Sequence, residues 1–334
     1  IDTDDRPIGL KDLGERKLGE SVTRYEDAIK GTPEEFARYA MQDARLTYKL
    51  YEKSVVELKK LRMLDYYYKF EMEILKMLVK IERKGILLDL KELQYLHETY
   101  LQRLDELEDE FMKNMFEPCH EDLYMIDVVG RKDGVAVEEK VLFNMQSGRH
   151  LATLFYDIKK YPVLAKTEHG NPATHEGAIK KLLLLGHREL KPLLEYKELK
   201  KLVTTYIEPL MNEHNIGGKV YPFYLQHGCV TGRFSSKTPN IQNIPIKTST
   251  GKAVRKCLTA EPGYVFADAD FGQLELRIAA HWSQDPALLS AFKDGVDVID
   301  LICESVLGIT KENQTKEKRV LAKAIAYGTL FGAG

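Results

Sequence analysis

The pattern of apolar residues changes character once along the chain, near Gly217, and this constrains the fold more than any other feature. Before that point apolar residues recur at helical spacing in long runs. These are FARYAMQDARLTYKLY and its continuation to Gly85, then LKELQYLHETYLQRLDELEDEFMKN, then RELKPLLEYKELKKLVTTYIEPLMNEH. Thr32 as cap, Pro33 in the first turn and Glu34 and Glu35 at the positive end of the dipole start the first run. That run is too long for one ordinary helix, so a break is expected between Met63 and Tyr66. The last run is expected to kink or start at Pro192. YMIDVV and GVAVEE, lying between Glu117 and Lys140, suit a small hairpin or irregular insertion. Beyond Gly217, VYPFYLQHG has strand composition and HGCVTGRFSSKTPNIQNIP loop composition. GYVFADAD reads as a buried strand emptying into a charged tip. RIAAHWSQDPALLSAF, VDVIDLICESVLG and EKRVLAKAIAYGTLFG then read as helices. The result is a mixed, helix-rich α/β chain with a second domain starting near residue 217 and no internal repeat.

The 334 residues can hold two domains or one large one. Hydrophobic residues at 44% and charged residues at 30% describe a folded, soluble chain of the cytoplasmic type. Lys plus Arg number 49 against 51 Asp plus Glu, a net charge of -2, so phosphate binding must be a local patch in an acidic background. Cys119, Cys229, Cys257 and Cys303 form no CxxC pair and have no His at ligand spacing, which argues for reduced cysteines and against a zinc site. No signal peptide opens the chain and no apolar run approaches membrane-spanning length, so no membrane partner is expected. Ile1 at one end and FGAG at the other look like cuts from something larger.

Several residues could carry chemistry. Asp270 follows the apolar GYVFADA, where a sheet would fix a carboxylate for a hard cation; Asp268 has the same local credentials, and a helix-capping Asp is the plainer reading. Arg319, Lys323, Tyr327 and Phe331 recur every four residues, so two cations and two rings share one stripe. That stripe matches a nucleoside triphosphate, whose phosphates want cations and whose base wants stacking. It equally matches core rings with charges snorkelling at the rim. Gly328 favours the first reading, since a helix glycine costs about 1 kcal/mol and usually answers a need for close approach. Asn240, Gln242 and Asn243 near Arg233 could meet sugar, phosphate or minor-groove acceptors, or simply form a polar turn between Pro239 and Pro245. Lys197 and Lys201, with Thr204 or Thr205 on the next turn, offer a phosphate-binding helix face or an ordinary solvated one.

Taken in order, TGRFSSKTPNIQNIP, DFGQLELRIAAHWSQD and RVLAKAIAYGTLFG resemble three signature blocks of family A DNA polymerases, the bacterial polymerase I and bacteriophage replicase group. FNMQSGRHLATLFY resembles the entry to the palm and thumb, EYKELKKLVTTYIEPL a thumb helix, and LKDLGERKLG with YAMQDARLTYKLY the close of a proofreading exonuclease domain. The resemblance thus covers nearly the whole chain, most weakly between Glu117 and Asp127. It implies a partial polymerase right-hand fold preceded by the tail of an RNase H-like exonuclease domain. Residues 1–62 would be the exonuclease remnant, 63–216 thumb and connecting helices with the start of the palm, 217–298 palm, and 299–334 the start of the fingers.

The resemblance also implies roles. Asp270 is similar to the first palm aspartate, which binds both of two Mg2+ ions with help from the Phe271 carbonyl. Glu275 matches the glutamate that helps exclude ribonucleotides. Arg319 and Lys323 match the residues that grip the triphosphate, Lys323 also as proton donor to pyrophosphate. Tyr327 matches the ring stacking near the incoming sugar and base, and Phe331 stands where the family usually has Tyr beside the templating base. Gln273 would contact the nucleotide and the nascent pair. Arg233, Asn240, Gln242, Asn243, Arg255 and Arg277 would hold primer, template and minor groove together with Lys197 and Lys201. Tyr39 and Asp43 resemble the third exonuclease motif. The expected reaction is two-metal transfer of a deoxynucleotide from a dNTP to the 3'-hydroxyl of a primed DNA template.

Departures from the family pattern are Gly272 for a usual Ser, Ile299 for a His that contacts the triphosphate, and Ala326 for a frequent Asn. The second palm carboxylate is expected beyond Gly334, and the acidic pair of the first two exonuclease motifs before Ile1. Complementary C-terminal polymerase and N-terminal exonuclease segments, and a processivity factor, are therefore expected partners. The setting expected is bacterial or phage-infected cytoplasm, and the divergent exonuclease end suggests a bacteriophage source. The principal competing reading is a catalytically silent primed-DNA or nucleotide-binding module. An all-helical scaffold would need three chance motif matches, and Glu275 with Tyr327 favours deoxynucleotides over RNA synthesis.

Overall fold

A computed structural model describes residues 9–116, 125–132 and 135–332. The expectations for Ile1, Cys119, residues 117–124 and Gly334 lie outside the described residues. The chain divides into two compact units, Ile1–Val265 and Phe266–Gly334.

In the first unit α1 (Pro33–Lys60) starts as its sequence dictates. The Thr32 hydroxyl accepts from the Glu35 N–H, and the Glu35 carboxylate accepts from the Thr32 N–H. The helix ends before Arg62, which takes a left-handed φ of 57°. A short helical stretch then leads into α2 (Met72–Lys84), closed by Gly85. The chain continues through β1 (Ile86–Leu88) into α3 (Leu90–Met115), capped by the Asp89 side chain. β2 (Met125–Lys132) and β3 (Val135–Leu142) form the expected antiparallel hairpin, pairing Met125 with Leu142 and Lys132 with Val135. α4 (Glu176–Leu184) precedes α5 (Lys191–Leu202), which opens with Pro192 in its first turn and continues through a wider π-helical turn, Val203–Ile207, to Met211.

The core of this unit forms where α3 lies against α5. Leu93, Leu107 and Phe111 from α3 and Leu193 and Val203 from the facing segment are fully enclosed. Beyond Gly217, β4 (Lys219–Val220) pairs with β1, so the change of pattern at Gly217 falls inside the first unit. β5 (Phe223–Leu225) pairs with β6 (Ser235–Lys237), which places a short strand inside the segment expected to be loop alone. α6 (Ser249–Lys256) leads into β7 (Leu258–Thr259) on the other edge of β1, giving the order β4-β1-β7.

GYVFADAD is not a buried strand. Residues 264–270 have no regular structure, and Val265 and Phe266 are 88% and 63% exposed. A strand exists only through the hydrogen bonds of a neighbour, and none of the sheets among the described residues includes this segment.

The second unit contains α7 (Leu274–Ser283), α8 (Pro286–Lys293), α9 (Val298–Ser305) and α10 (Lys316–Leu330). RIAAHWSQDPALLSAF, expected as one helix, is two. Gln284 turns left-handed at φ 54°, and Asp285 caps a new helix whose first residue is Pro286. Leu276, Val298, Ile299, Cys303, Ala322 and Ala326 make a small core, with Tyr327 and Leu330 packed against it.

Candidate active site and nucleic-acid interface

In the second unit α10 carries the four-residue stripe as the spacing requires. Arg319 and Tyr327 are half-buried, Lys323 is exposed, and Phe331 caps the helix with its N–H donated to the Tyr327 carbonyl. The Tyr327 and Phe331 rings are stacked at 6.3 Å, and the Lys323 ammonium lies 5.7 Å from the Tyr327 ring centre. Burial raises the Tyr327 phenol above its ordinary range, and the negative charges of Glu275 and Asp270 raise it further. The stripe therefore shares an electrostatic neighbourhood with the two carboxylates.

Arg319 has partners that its helix pattern does not reveal. Its guanidinium donates to Asp297 at 2.7 Å, to the Gln314 amide oxygen at 3.2 Å, and forms an ion pair with Asp300. Asp297 also accepts from the Gln273 amide at 2.6 Å and from the Ile299 N–H at 2.8 Å. Although burial opposes ionisation, these donors hold the Asp297 carboxyl below the usual range. Gln273 itself is left-handed, with φ 56° and ψ 38°, directly before α7. Asp297 and Asp300 went unrecognised in the sequence because they lie 22 and 19 residues before Arg319 and belong to no motif.

Asp270 and Phe271 are exposed on the irregular segment that replaces the expected strand. Asp270 therefore lies outside any sheet of the described residues, just before the turn that enters α7. Among the described residues no group of three or more His, Cys, Asp and Glu side chains could hold a metal. Mg2+ is commonly bound through one or two carboxylates plus substrate phosphates, and the exposed Asp270 carboxylate is an oxygen donor of that kind. Arg277 makes local contacts: its Nε donates to the Gly272 carbonyl at 2.9 Å and its guanidinium covers the Phe292 ring at 4.5 Å. Ile299 is buried in the small core with only 6% exposure.

The first unit brings together part of the expected nucleic-acid set. Lys197, Lys201, Tyr206 and Asn243 line one cleft of about 330 Å³, with Glu176 and Glu198 also on its wall. The Tyr206 hydroxyl donates to the Asn243 carbonyl at 2.8 Å. Burial lowers the affinity of the Lys197 amine for its proton. The Thr204 hydroxyl turns back to the Lys200 carbonyl at 2.9 Å. Some loop amides bond within the loop. Asn240 Oδ1 accepts from the Asn243 N–H and the Ser236 hydroxyl, and the Gln242 amide donates to the Phe234 carbonyl at 3.3 Å. Arg255 ties this loop down through the Ile244 carbonyl at 3.1 Å, and Arg233 is exposed beside it.

At the start of the chain Asp43 is ion-paired with Lys11, whose ammonium also lies 4.1 Å above the Tyr39 ring. Partial burial and the Asp43 carboxylate raise the Tyr39 phenol. Lys11 lies 32 residues before Asp43, and no sequence motif links the two.

Comparison with known proteins gives this geometry a lineage. The family model for DNA polymerase family A matches residues 129–334. DNA polymerase I of Pseudomonas aeruginosa is 31% identical over 335 residues, covering 97% of this chain and 34% of the relative. DNA polymerase I of Chloroflexus aurantiacus is likewise 31% identical, covering 97% and 34%. The chain therefore spans about a third of the length of these curated relatives. Among solved structures, the POL domain of Pol1 from M. smegmatis, in complex with DNA primer-template and dNTP, aligns with a TM-score of 0.78 and 25% identity. The alignment covers 98% of this chain and 52% of that one. No helix among the described residues is long and apolar enough to cross a membrane. With three motif segments in family order and more than half of its residues matched, the chain belongs to DNA polymerase family A.

Proposed function

We propose that this chain serves template-directed DNA synthesis, transferring a deoxynucleoside monophosphate from a dNTP to the 3'-hydroxyl of a primed DNA template. The observation that carries the reading is the α10 stripe of Arg319, Lys323, Tyr327 and Phe331, with the Tyr327 and Phe331 rings stacked and the Lys323 ammonium over Tyr327. In the reaction the primer 3'-hydroxyl gives up its proton to solvent, its oxygen bonds to the α-phosphorus, the bond from that phosphorus to the bridging oxygen of the β-phosphate breaks, and pyrophosphate departs. Arg319 and Lys323 neutralise the triphosphate, and Lys323 supplies a proton to the leaving pyrophosphate. Tyr327 and Phe331 provide ring faces for the incoming nucleotide and templating base, and Glu275 crowds the sugar 2'-position. Asp270 with the Phe271 carbonyl would hold Mg2+, which when bound activates the primer hydroxyl and offsets phosphate charge. Lys197, Lys201 and Asn243 along their shared cleft, with Arg233, Asn240, Gln242, Arg255, Gln273 and Arg277, would hold primer and template.

In the same reading residues 63–216 are thumb and connecting helices, 217–298 palm and 299–334 the start of fingers, with 1–62 an exonuclease remnant whose Asp43 is neutralised by Lys11. Complementary polymerase and exonuclease segments and a processivity factor are the partners it calls for. A second reading, a silent primed-DNA or nucleotide-binding module, is favoured by Ile299, a buried apolar side chain that offers no imidazole to a triphosphate. Magnesium-dependent primer extension decides between them, using the chain alone and mixed with a polypeptide supplying a second palm carboxylate. Extension in either arm supports synthesis. Failure in both arms, with primed DNA still bound, refutes it in favour of the binding module.

A further inference from the structure

We infer that Asp297 is a positioning residue that sets the guanidinium of Arg319 and the turn before α7 in one fixed relation, so that nucleotide affinity depends on a side chain that need not touch the nucleotide. The inference rests on the proposed role of Arg319 as a triphosphate ligand. One carboxylate gathers donors from three elements. Oδ1 accepts from the Gln273 amide at 2.6 Å and from the Ile299 N–H at 2.8 Å, while Oδ2 accepts from Arg319 at 2.7 Å. The Ile299 contact caps α9 and fixes the carboxylate on its own helix. The Arg319 contact draws one edge of the guanidinium toward α9, and Gln314 and Asp300 hold another of its nitrogens. A long side chain with several rotatable bonds is thereby confined before any phosphate arrives, which lowers the entropy lost on binding.

The Gln273 contact reaches the other half of the site. Gln273 adopts a left-handed backbone that non-glycine residues rarely take, and its side chain makes no capping bond to its own helix. Its amide goes to Asp297 instead, so the same carboxylate that orients Arg319 also holds the turn joining Asp270 and Phe271 to α7. A backbone strained at this point and tied to one half-buried acceptor is the arrangement expected where geometry matters more than local stability.

Asp297→Asn separates this role from simple folding, because asparagine still caps α9 and still accepts from Gln273 but no longer carries the charge that holds Arg319. Binding of Mg-dATP and of primed DNA is measured for the chain, Asp297→Asn, Arg319→Ala and the double variant, with the unfolding midpoint of each. Asp297→Asn is expected to weaken Mg-dATP about ten-fold, the scale of one charge-assisted hydrogen bond, and to leave primed-DNA affinity within about two-fold. Once Arg319 is alanine, Asp297→Asn should add no further loss, a coupling that a merely structural role would not produce. Unchanged or tighter Mg-dATP binding by Asp297→Asn, with Arg319→Ala clearly weakened, overturns the inference and leaves the polymerase reading standing. Additive losses in the double variant also overturn it. If the unmodified chain binds primed DNA but no Mg-dATP, the triphosphate role of Arg319 fails and the inference falls with it.

Discussion

Replacing Gly85 by alanine should damage the first unit far more than the loss of backbone freedom alone would suggest. Gly85 closes α2 at φ 66° and ψ -177°, a region essentially restricted to glycine. A Cβ there would lie 2.6 Å from Cε1 and 2.8 Å from Cδ1 of Tyr221, and 3.0 Å from the Val220 carbonyl oxygen. The next residue, Ile86, pairs with Val220, so the ring and carbonyl cannot retreat without disturbing the middle strand of the β4-β1-β7 sheet. Backbone strain contributes about 1–3 kcal/mol and the steric conflict about as much again, for a total loss on the order of 2–6 kcal/mol. Gly19 supplies the control: its φ is 69° and ψ 21°, and no atom lies within 4 Å of the Cβ position. Gly19→Ala should therefore cost only about 1–2 kcal/mol, the ordinary left-handed penalty. Urea unfolding followed by far-ultraviolet circular dichroism, with hydrogen exchange at the Leu88 amide as a local probe, measures both. Losses that agree within about 0.5 kcal/mol would refute the argument, because they would mean that the crowding at Tyr221 has no energetic consequence.

Asp297 makes a pH prediction. Its carboxyl is held below the ordinary carboxylate range, so its contribution to stability is present above about pH 4 and is lost as pH falls through the lowered native value. Between about pH 6 and about pH 3, Asp297→Asn should lose less stability than the unmodified chain; parallel losses would show that the carboxylate is not preferentially ionised in the fold. Burial disfavours the charged form of Lys197, so Lys197→Met should raise the melting temperature at neutral pH while weakening primed-DNA binding. An unchanged affinity would remove Lys197 from the interface. Lys201→Ala should weaken binding to all duplex sequences alike and reduce the slope of log K against log salt by about one, measured by fluorescence anisotropy. A sequence-dependent loss with an unchanged slope would count against a phosphate contact.

Local signals were legible wherever the physics is local. The Thr32 capping box, the stop at Gly85, the hairpin after Met125 and the start of α5 at Pro192 each depend on residues close in sequence, and each is found. GYVFADAD failed for the opposite reason. Apolar composition favours a strand, but strand formation needs a partner ladder, which composition cannot supply. In RIAAHWSQDPALLSAF the apolar spacing favours one helix, but the cap and start signal of Asp285 before Pro286 divides it.

The candidate site divides along the same line. The sequence by itself determined that Arg319, Lys323, Tyr327 and Phe331 share a helix face, because 3.6 residues per turn fixes that geometry without reference to the rest of the chain. It also determined the family, through three motif segments in order. Only the tertiary structure decided that Arg319 is held by Asp297 and Asp300, that Asp43 is matched by Lys11, and that Lys197 meets Asn243 across one cleft. Those pairings join residues 19 to 46 positions apart. Their partners are chosen by how helices pack and which charges burial leaves facing one another, and no periodicity along the chain encodes that choice.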